Sequence, residues 1–140
     1  MTIFDKIDTT YEKLSKVKDK IAYIEMKASS PRSSVYSDMP KGGRNAGNPL
    51  EDYMIRKEEL AEKERVLEER LEMQWEQAVH QMDSAKIDKQ TKVMMYYRFM
   101  KRMQWKKCAL ALDRRYVDCK WNVNKCFRKY REVLCRIRKL

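Results

Sequence analysis

The sequence predicts an all-α protein, and three features of it support that fold class. Glycine and proline are scarce, at three residues each, whereas the helix-favouring Met, Leu, Glu, Lys and Arg are abundant. Charged residues make up 38% of the chain. Apolar residues recur at steps of three and four along most of its length. The 140 residues allow one ordinary domain, or a smaller domain with helical extensions, and exclude a large two-domain enzyme.

The first segment, residues 1–27, is predicted to be one amphipathic helix. Its apolar side chains follow at helical spacing: Phe4, Ile7, Tyr11, Leu14, Val17, Ile21 and Ile24. The opposite face is charged, so the apolar stripe needs a partner surface. An intramolecular helical hairpin and the seam of a dimer would both provide one.

Residues 28–49 differ sharply in composition from the helical segments around them. They contain all three prolines, all three glycines and most of the serines of the chain. Such a composition is typical of a flexible linker. We therefore place a linker between the first helix and the second.

Residues 50–83 are predicted to form a long charged helix. Asn48 and Pro49 suit a helix start, and Glu51 and Asp52 complement the dipole of the first turn. One face is apolar: Leu60, Leu67, Leu71, Trp75, Ala78 and Met82. Together with the first helix this segment would form an antiparallel pair or a coiled coil.

Residues 84–140 are predicted to contain three further helices. The first, capped by Ser84 or Asp88, should end near residues 101–104. A compact helix with the sequence WKKCALAL follows, and residues 113–115 supply a turn. The last helix directs one apolar face inward: Cys119, Val123, Cys126, Tyr130, Val133 and Ile137. Two short helices joined by a tight turn are the geometry of a helix-turn-helix, whose second helix enters the major groove of DNA.

The charge of the chain is divided unevenly between its two parts. Residues 86–140 hold 18 Lys or Arg and four acidic residues, a net charge of +14, whereas residues 1–85 have a net charge of −3. A 55-residue segment of this charge favours contact with phosphate groups. Ribosomal and membrane-surface segments share the property, so charge alone indicates nucleic acid without proving it.

The four cysteines raise the question of a zinc site. Cys108, Cys119, Cys126 and Cys135 all lie in the basic segment, but their spacing contains no C-x₂-C or C-x₄-C knuckle. We interpret them as small apolar residues in a reducing cytosol. The single histidine, His80, has no cysteine or carboxylate constellation beside it in the sequence, so we expect no metal and no cofactor.

Catalytic and membrane-spanning roles find no support in the sequence. It contains no glycine-rich phosphate loop, nucleophile elbow or convergent acid and base pair, so we expect no enzyme activity. No apolar run approaches the roughly 18 to 20 residues that span a bilayer. We expect a cytoplasmic protein without a membrane partner.

The stretch RFMKRMQWKKCA, residues 98–109, resembles a known family. It is similar to the region-four helix-turn-helix of sigma factors, and in particular to the sigma-like regulators of phages and prophages of the ArpU and RinA type. Their pattern runs from Arg-Tyr through a Gly to a Trp, then two charged residues, an aliphatic residue and Ala. In this sequence Arg102 stands where that family usually has Gly, Asp113 replaces the turn Gly, and Arg115 replaces a Ser or Thr.

The resemblance implies a sequence-specific DNA-binding regulator of phage or prophage genes in a bacterial host cell. Double-stranded DNA is its expected partner, and the resemblance leaves open a contact with RNA polymerase and a homodimer. The main alternative is a non-enzymatic phage assembly or packaging adaptor that acts through its coiled coil and basic helices.

The predicted DNA contacts fall into two groups. Residues on the outer side early in the second helix are expected to contact the groove: Arg114, Arg115, Asp118, Trp121 and Lys125. A second set is expected to contact phosphates: Arg102, Lys106, Lys107 and Arg128. Each charge could instead be a solvated surface group, and Trp121 could instead be buried.

Overall fold

A computed structural model of the chain describes residues 2–29 and 49–140. These residues form five α-helices and contain no strand, which confirms the all-α prediction. The helices are α1 (Ile3–Ser29), α2 (Pro49–Ser84), α3 (Lys89–Phe99), α4 (Trp105–Arg115) and α5 (Val123–Arg138), and a short 3-10 helix, Val117–Cys119, lies between the last two. The predicted linker lies outside the described residues, apart from its ends. None of the described helices is long and apolar enough to cross a bilayer.

The chain divides into two compact units. The hairpin unit is Thr9–Leu71, and the basic unit is Glu72–Leu140 together with the first eight residues. Helices α1 and α2 each contribute to both units, because the division falls after Asp8 in one and after Leu71 in the other.

In the hairpin unit α1 and α2 run antiparallel. Lys18 Nζ lies 4.0 Å from Glu68 Oε1, and Lys57 Nζ lies 3.2 Å from Glu25 Oε1, so ascending positions on α1 meet descending positions on α2. The buried side chains of this unit that belong to the predicted stripes are Leu14, Val17, Leu60, Leu67 and Leu71, and Thr10 is buried outside those stripes. The ion pairs are exposed and contribute little, so apolar burial stabilises the hairpin.

The core of the basic unit is built from all five helices and from the two residues Ile87 and Trp121 in its connections. Its buried members are Ile3, Phe4, Ile7, Ala78, Met82, Ile87, Thr91, Met94, Met95, Phe99, Cys108, Ala109, Leu112, Trp121, Cys126 and Val133. Cys108, Ala109 and Leu112 form the inner face predicted for α4, and Cys126 and Val133 lie on the inner face predicted for α5.

A chain of aromatic rings connects the start of α1 to the outer surface of α5. Phe4 lies 4.9 Å from Phe99 between ring centroids, and Phe99 lies 5.8 Å from Tyr130. Trp105 then lies 5.2 Å from Tyr130 and 5.7 Å from Phe127. Such tilted and edge-to-face pairs stabilise a core beyond their burial alone. They hold α3, α4 and α5 together around one set of side chains.

Helix α2 ends in a Schellman motif that needs a left-handed residue. The Ile87 amide donates to Met82 O, and the Lys86 amide donates to Asp83 O, each at 3.0 Å. Lys86 has a φ of 60°, the conformation for which glycine is the usual residue. Ile87 and Met82 are both buried, which supplies the apolar contact that accompanies this motif.

Asp88, one of the two residues predicted to cap α3, is its N-cap. Its Oδ2 accepts the Thr91 amide at 3.1 Å, and its Oδ1 accepts the Thr91 hydroxyl at 2.7 Å. Burial opposes ionisation of this carboxyl, but the two hydrogen bonds from Thr91, together with the nearby charge of Lys129 and a backbone hydrogen bond, hold the pKa of Asp88 below its ordinary value. The predicted break near residues 101–104 is also confirmed, since α3 ends at Phe99 and α4 begins at Trp105.

Candidate nucleic-acid interface

The turn between α4 and α5 differs from the prediction. Residues 113–115 are still helical, because no glycine or proline stops α4 there, and the helix ends at Arg115. Tyr116 leaves the helix with φ −122° and ψ 68°. The chain then passes through the 3-10 helix to Lys120, which is left-handed with φ 51°. The predicted turn at residues 113–115 is therefore wrong, and the connection runs over residues 116–122.

Helix α5 begins later than predicted, and its start is fixed by Asn122. The Asn122 backbone is extended, and its Oδ1 accepts the Lys125 amide at 2.8 Å. Asparagine is among the best residues for this capping bond. The first helical residue of α5 is Val123, so of the five predicted groove residues only Lys125 lies on α5.

Four of the five predicted groove residues lie before α5, and three of them are on the surface. Arg114 and Arg115 occupy the last turn of α4, and Asp118 lies in the 3-10 helix. All three are exposed. Arg115 Nη1 also donates to Tyr97 Oη at 3.2 Å, which ties this guanidinium back to α3.

Trp121 is not available for a groove contact. Its side chain is 5% exposed, and its Nε1 donates to Gln90 Oε1 on α3 at 3.0 Å. The expectation that Trp121 reaches DNA is therefore wrong, because its indole belongs to the core. Lys125 is also engaged inside the unit, since its Nζ donates to Cys119 O at 2.7 Å and lies 4.4 Å from the Trp121 ring centroid.

The predicted phosphate contacts occupy two kinds of surroundings. Lys106 and Lys107 are exposed at the start of α4, and Arg128 is exposed on α5. Arg102 instead forms an ion pair with Asp8, with 2.6 Å between Nη1 and Oδ1. Its φ of 56° is the left-handed conformation that glycine adopts most easily. Arg102 thus has the backbone geometry expected at a position where the sigma-like pattern has Gly.

One face of α5 is exposed along its whole length. We call it the α5 face, and its members follow at helical spacing: Asn124, Phe127, Arg128, Arg131, Cys135 and Arg138. The acidic residue of α5, Glu132, lies off this face and pairs with Arg136 at 3.0 Å. The α5 face therefore presents an amide and three guanidiniums without a carboxylate among them.

An open depression of about 590 Å³ lies against the first two turns of the α5 face. Lysine, arginine and asparagine side chains dominate its lining, which consists of Cys119, Lys120, Asn122, Asn124, Lys125, Phe127, Arg128 and Arg131. Phe127 contributes the aromatic ring of this lining and packs edge-to-face with Trp105. The depression thus combines hydrogen-bond donors, positive charge and one aromatic ring.

Sequence reasoning missed several residues of this surface. Lys120, Asn122, Asn124 and Arg131 were not assigned to it, because α5 was placed too early in the chain. The signal in the sequence was the helical spacing of residues 124, 127, 128 and 131, all of which are exposed in the structure. Asn122 was recognisable as a capping residue with a basic helix after it.

The cysteines of the basic unit occupy different environments. Cys108 and Cys126 are buried, Cys119 is half-buried and Cys135 is exposed. Burial, with a smaller contribution from the neighbouring Cys108, raises the pKa of the Cys126 thiol to about 11. Burial also raises the pKa of Cys108. Among the described residues no three His, Cys, Asp or Glu side chains gather in a way that could hold a metal ion.

The α5 face and the depression beside it are defined by the hydrogen bonds, exposure and charge of their own residues. In comparisons with known proteins, no family model, no curated protein and no solved structure matches the chain.

Proposed function

We propose that this protein is a non-enzymatic, sequence-specific DNA-binding regulator that inserts α5 into the major groove of duplex DNA. The observation that carries the proposal is the α5 face, where Asn124, Arg128 and Arg131 are exposed on a helix of the right size for the groove. Amide and guanidinium groups are those that read base edges most often.

Different residues of the surface have different roles in this proposal. Asn124 and Arg128, on the first two turns of α5, contact base edges. Lys106 and Lys107, at the start of α4, bind phosphates and so fix the orientation of the protein without reading sequence. Arg114, in the last turn of α4, and Lys120, in the connection to α5, extend this positive surface. The net charge of +14 over residues 86–140 strengthens and accelerates binding at low salt.

The biological setting comes from the resemblance to sigma-like phage regulators. The left-handed Arg102 at the family's Gly position supports the register of that resemblance. We propose that the regulated genes belong to a phage or prophage and that the protein acts in the bacterial cytoplasm. A sigma-like role also brings RNA polymerase as a second partner, and a homodimer would match a two-fold target site.

The function is tested by selecting duplexes from a random library and measuring the affinity of variants for the selected sequence. We expect Arg128→Ala to weaken specific binding by roughly tenfold to a hundredfold and to relax the preference at one base position. Lys107→Ala should weaken binding to all sequences and lower the salt slope by about one. Arg136→Ala is the matched control, because Arg136 is exposed on α5 but lies off the α5 face.

A parent protein that enriches no sequence would contradict this function. That result would favour the alternative of a non-enzymatic phage assembly or packaging adaptor that acts through its coiled coil and basic helices. If Arg128→Ala and Arg136→Ala lost the same amount of affinity, the protein would still be a DNA-binding protein, but the α5 face would not be the surface that reads the sequence.

A further inference from the structure

We propose that Gln90 is a positioning residue for DNA binding, which holds the first turn of α5 in the orientation that reads bases. This inference rests on the function proposed above and adds to it a residue that lies on α3, outside the α5 face. Gln90 is half-buried and would be read from the sequence as an ordinary polar residue in the first turn of a helix.

The side-chain amide of Gln90 makes two hydrogen bonds to the segment just before α5. Its Oε1 accepts Trp121 Nε1 at 3.0 Å, and its Nε2 lies 3.3 Å from Cys119 Sγ as a donor. Both partners lie in the connection between α4 and α5, about 30 positions further along the chain. One amide thus fixes two points of the connection against α3.

Side chains of α5 and its cap hold the same segment from the other side. Lys125 Nζ donates to Cys119 O at 2.7 Å and lies over the Trp121 ring at 4.4 Å. Asn122 accepts the Lys125 amide through its side chain. Between these two sets of contacts lies Lys120, whose left-handed backbone needs external support. We call Gln90, Cys119, Trp121 and Lys125 the turn lock.

The turn lock bears on binding because the residues that touch DNA follow it directly. Asn124 lies three positions after Trp121, and Arg128 lies three positions after Lys125. The Trp121 indole is 5% exposed, so without Gln90 its N–H would be buried and unpaired, a state that is costly. The connection would then spend part of its time with the indole turned out to water. Affinity falls in proportion to the fraction of molecules that keep the competent arrangement.

The test compares Gln90→Met with the parent protein on two labelled duplexes, under conditions in which circular dichroism shows both proteins fully folded. One duplex is the sequence that the parent selects, and the other is a scrambled version of it. Methionine keeps the length and the apolar contacts of the side chain and removes both hydrogen bonds. We expect affinity for the selected duplex to fall about tenfold, as the loss of one buried pairing implies. Affinity for the scrambled duplex and the salt slope should stay unchanged, since the phosphate contacts remain.

A second variant makes the role of the Trp121 N–H explicit. Trp121→Phe removes the donor and keeps an aromatic ring beneath Lys125. In the Trp121→Phe background, Gln90→Met leaves no indole N–H buried without a partner, so we expect it to reduce affinity less than threefold. The difference from its effect in the parent is the coupling energy expected of two groups in contact. Gln77→Met is the matched control, because Gln77 is an exposed glutamine of α2 outside the turn lock. In the parent, the Trp121 indole proton should exchange slowly with solvent, and Gln90→Met should remove that protection.

The outcomes separate this proposal from the function on which it rests. Equal affinities of parent and Gln90→Met for the selected duplex would overturn the positioning role and leave the regulator intact. The same loss on the selected and the scrambled duplex, or the same loss with and without Trp121, would overturn it as well. A parent that selects no duplex at all would overturn both, even if the indole proton is protected.

Discussion

Three residues other than glycine hold left-handed backbone in the described part of the chain, and each follows the end of a helix. Lys86 follows α2, Arg102 follows α3, and Lys120 follows the 3-10 helix. For an L-residue this conformation costs roughly 1–2 kcal/mol relative to the right-handed one. Packing and hydrogen bonds on both sides of each residue must offset that cost. These positions are therefore where a substitution by glycine should stabilise the protein.

Lys86→Gly is expected to raise the free energy of unfolding by about 1 kcal/mol, because it relieves the strain of the Schellman motif and leaves its backbone hydrogen bonds in place. Urea unfolding followed by tryptophan fluorescence measures this change. All three tryptophans lie in the basic unit, so the signal reports the unit that contains Lys86.

The matched control for this substitution is Lys107→Gly, at an exposed and helical position of α4. There glycine should lower the stability by about 0.5–1 kcal/mol, since it adds backbone freedom to the unfolded chain without relieving strain. Loss of stability in both variants would show that the backbone at Lys86 is not left-handed in solution.

The individual side chains of the candidate site could be predicted only where exposure depends on local periodicity. Lys106, Lys107 and Arg128 are exposed as expected, because each lies opposite an apolar stripe of its own helix. Trp121 could not be assigned in this way. Its buried indole donates a hydrogen bond to Gln90, and a contact across about 30 positions leaves no periodic signal in the sequence.

At the scale of elements, α4 and α5 pack through apolar side chains that include two thiols. Cys108 and Cys126 lie on the facing sides of these helices and are both fully buried. The Cys126 pKa of about 11 means that the folded protein favours the neutral thiol. Between the two pKa values the Cys126 thiol is therefore neutral in the folded protein and ionised in the unfolded chain.

Because the folded pKa of Cys126 is raised above its ordinary value of 9.0, its contribution to stability is full below pH 9 and is lost progressively as the pH rises towards about 11. Between about pH 8 and about pH 10.5 the parent should lose on the order of 1–2 kcal/mol more than Cys126→Ala. Urea unfolding under reducing conditions at both pH values measures the difference. Parallel losses in the two proteins would contradict the raised pKa.

The helices themselves were well predicted, because each has an apolar stripe at helical spacing and most have a recognisable cap. The starts of α2 and α3 follow from Pro49 and Asp88. The connection between α4 and α5 was predicted at residues 113–115 but lies at residues 116–122, because residues 113–121 contain neither glycine nor proline to mark its position. The path of the backbone in this connection is fixed by the left-handed conformation of Lys120 and by the contacts of the turn lock.

At the scale of the whole molecule, the basic unit includes both ends of the chain. Phe4 is fully buried against Phe99, and Asp8 pairs with Arg102, so the first turns of α1 are part of the core that supports α3, α4 and α5. Residues 84–140 were predicted from their charge and motif. Their dependence on residues 3–8 could not be predicted, because the stripe of α1 suits any apolar partner.

Phe4→Ala should therefore destabilise the basic unit by about 3 kcal/mol, the cost typical of truncating a buried phenylalanine. The tryptophan-detected urea transition measures it. Leu14→Ala is the control, because Leu14 is equally well buried but lies in the hairpin unit. We expect it to shift the tryptophan signal much less. Equal shifts would contradict the assignment of Phe4 to the basic unit.

The burial of Phe4 against Phe99 also has a consequence for biosynthesis. A ribosome makes Phe4 long before α3, and the Phe99 ring that packs on Phe4 does not exist until α3 has been made. Closing so long a loop is slow compared with forming a local helix pair. The hairpin unit can thus form as soon as α2 has been made, whereas the basic unit can close only after α5 has been made. Until then Ile3, Phe4 and Ile7 lack the side chains that bury them, and the α5 face has no complete core beneath it.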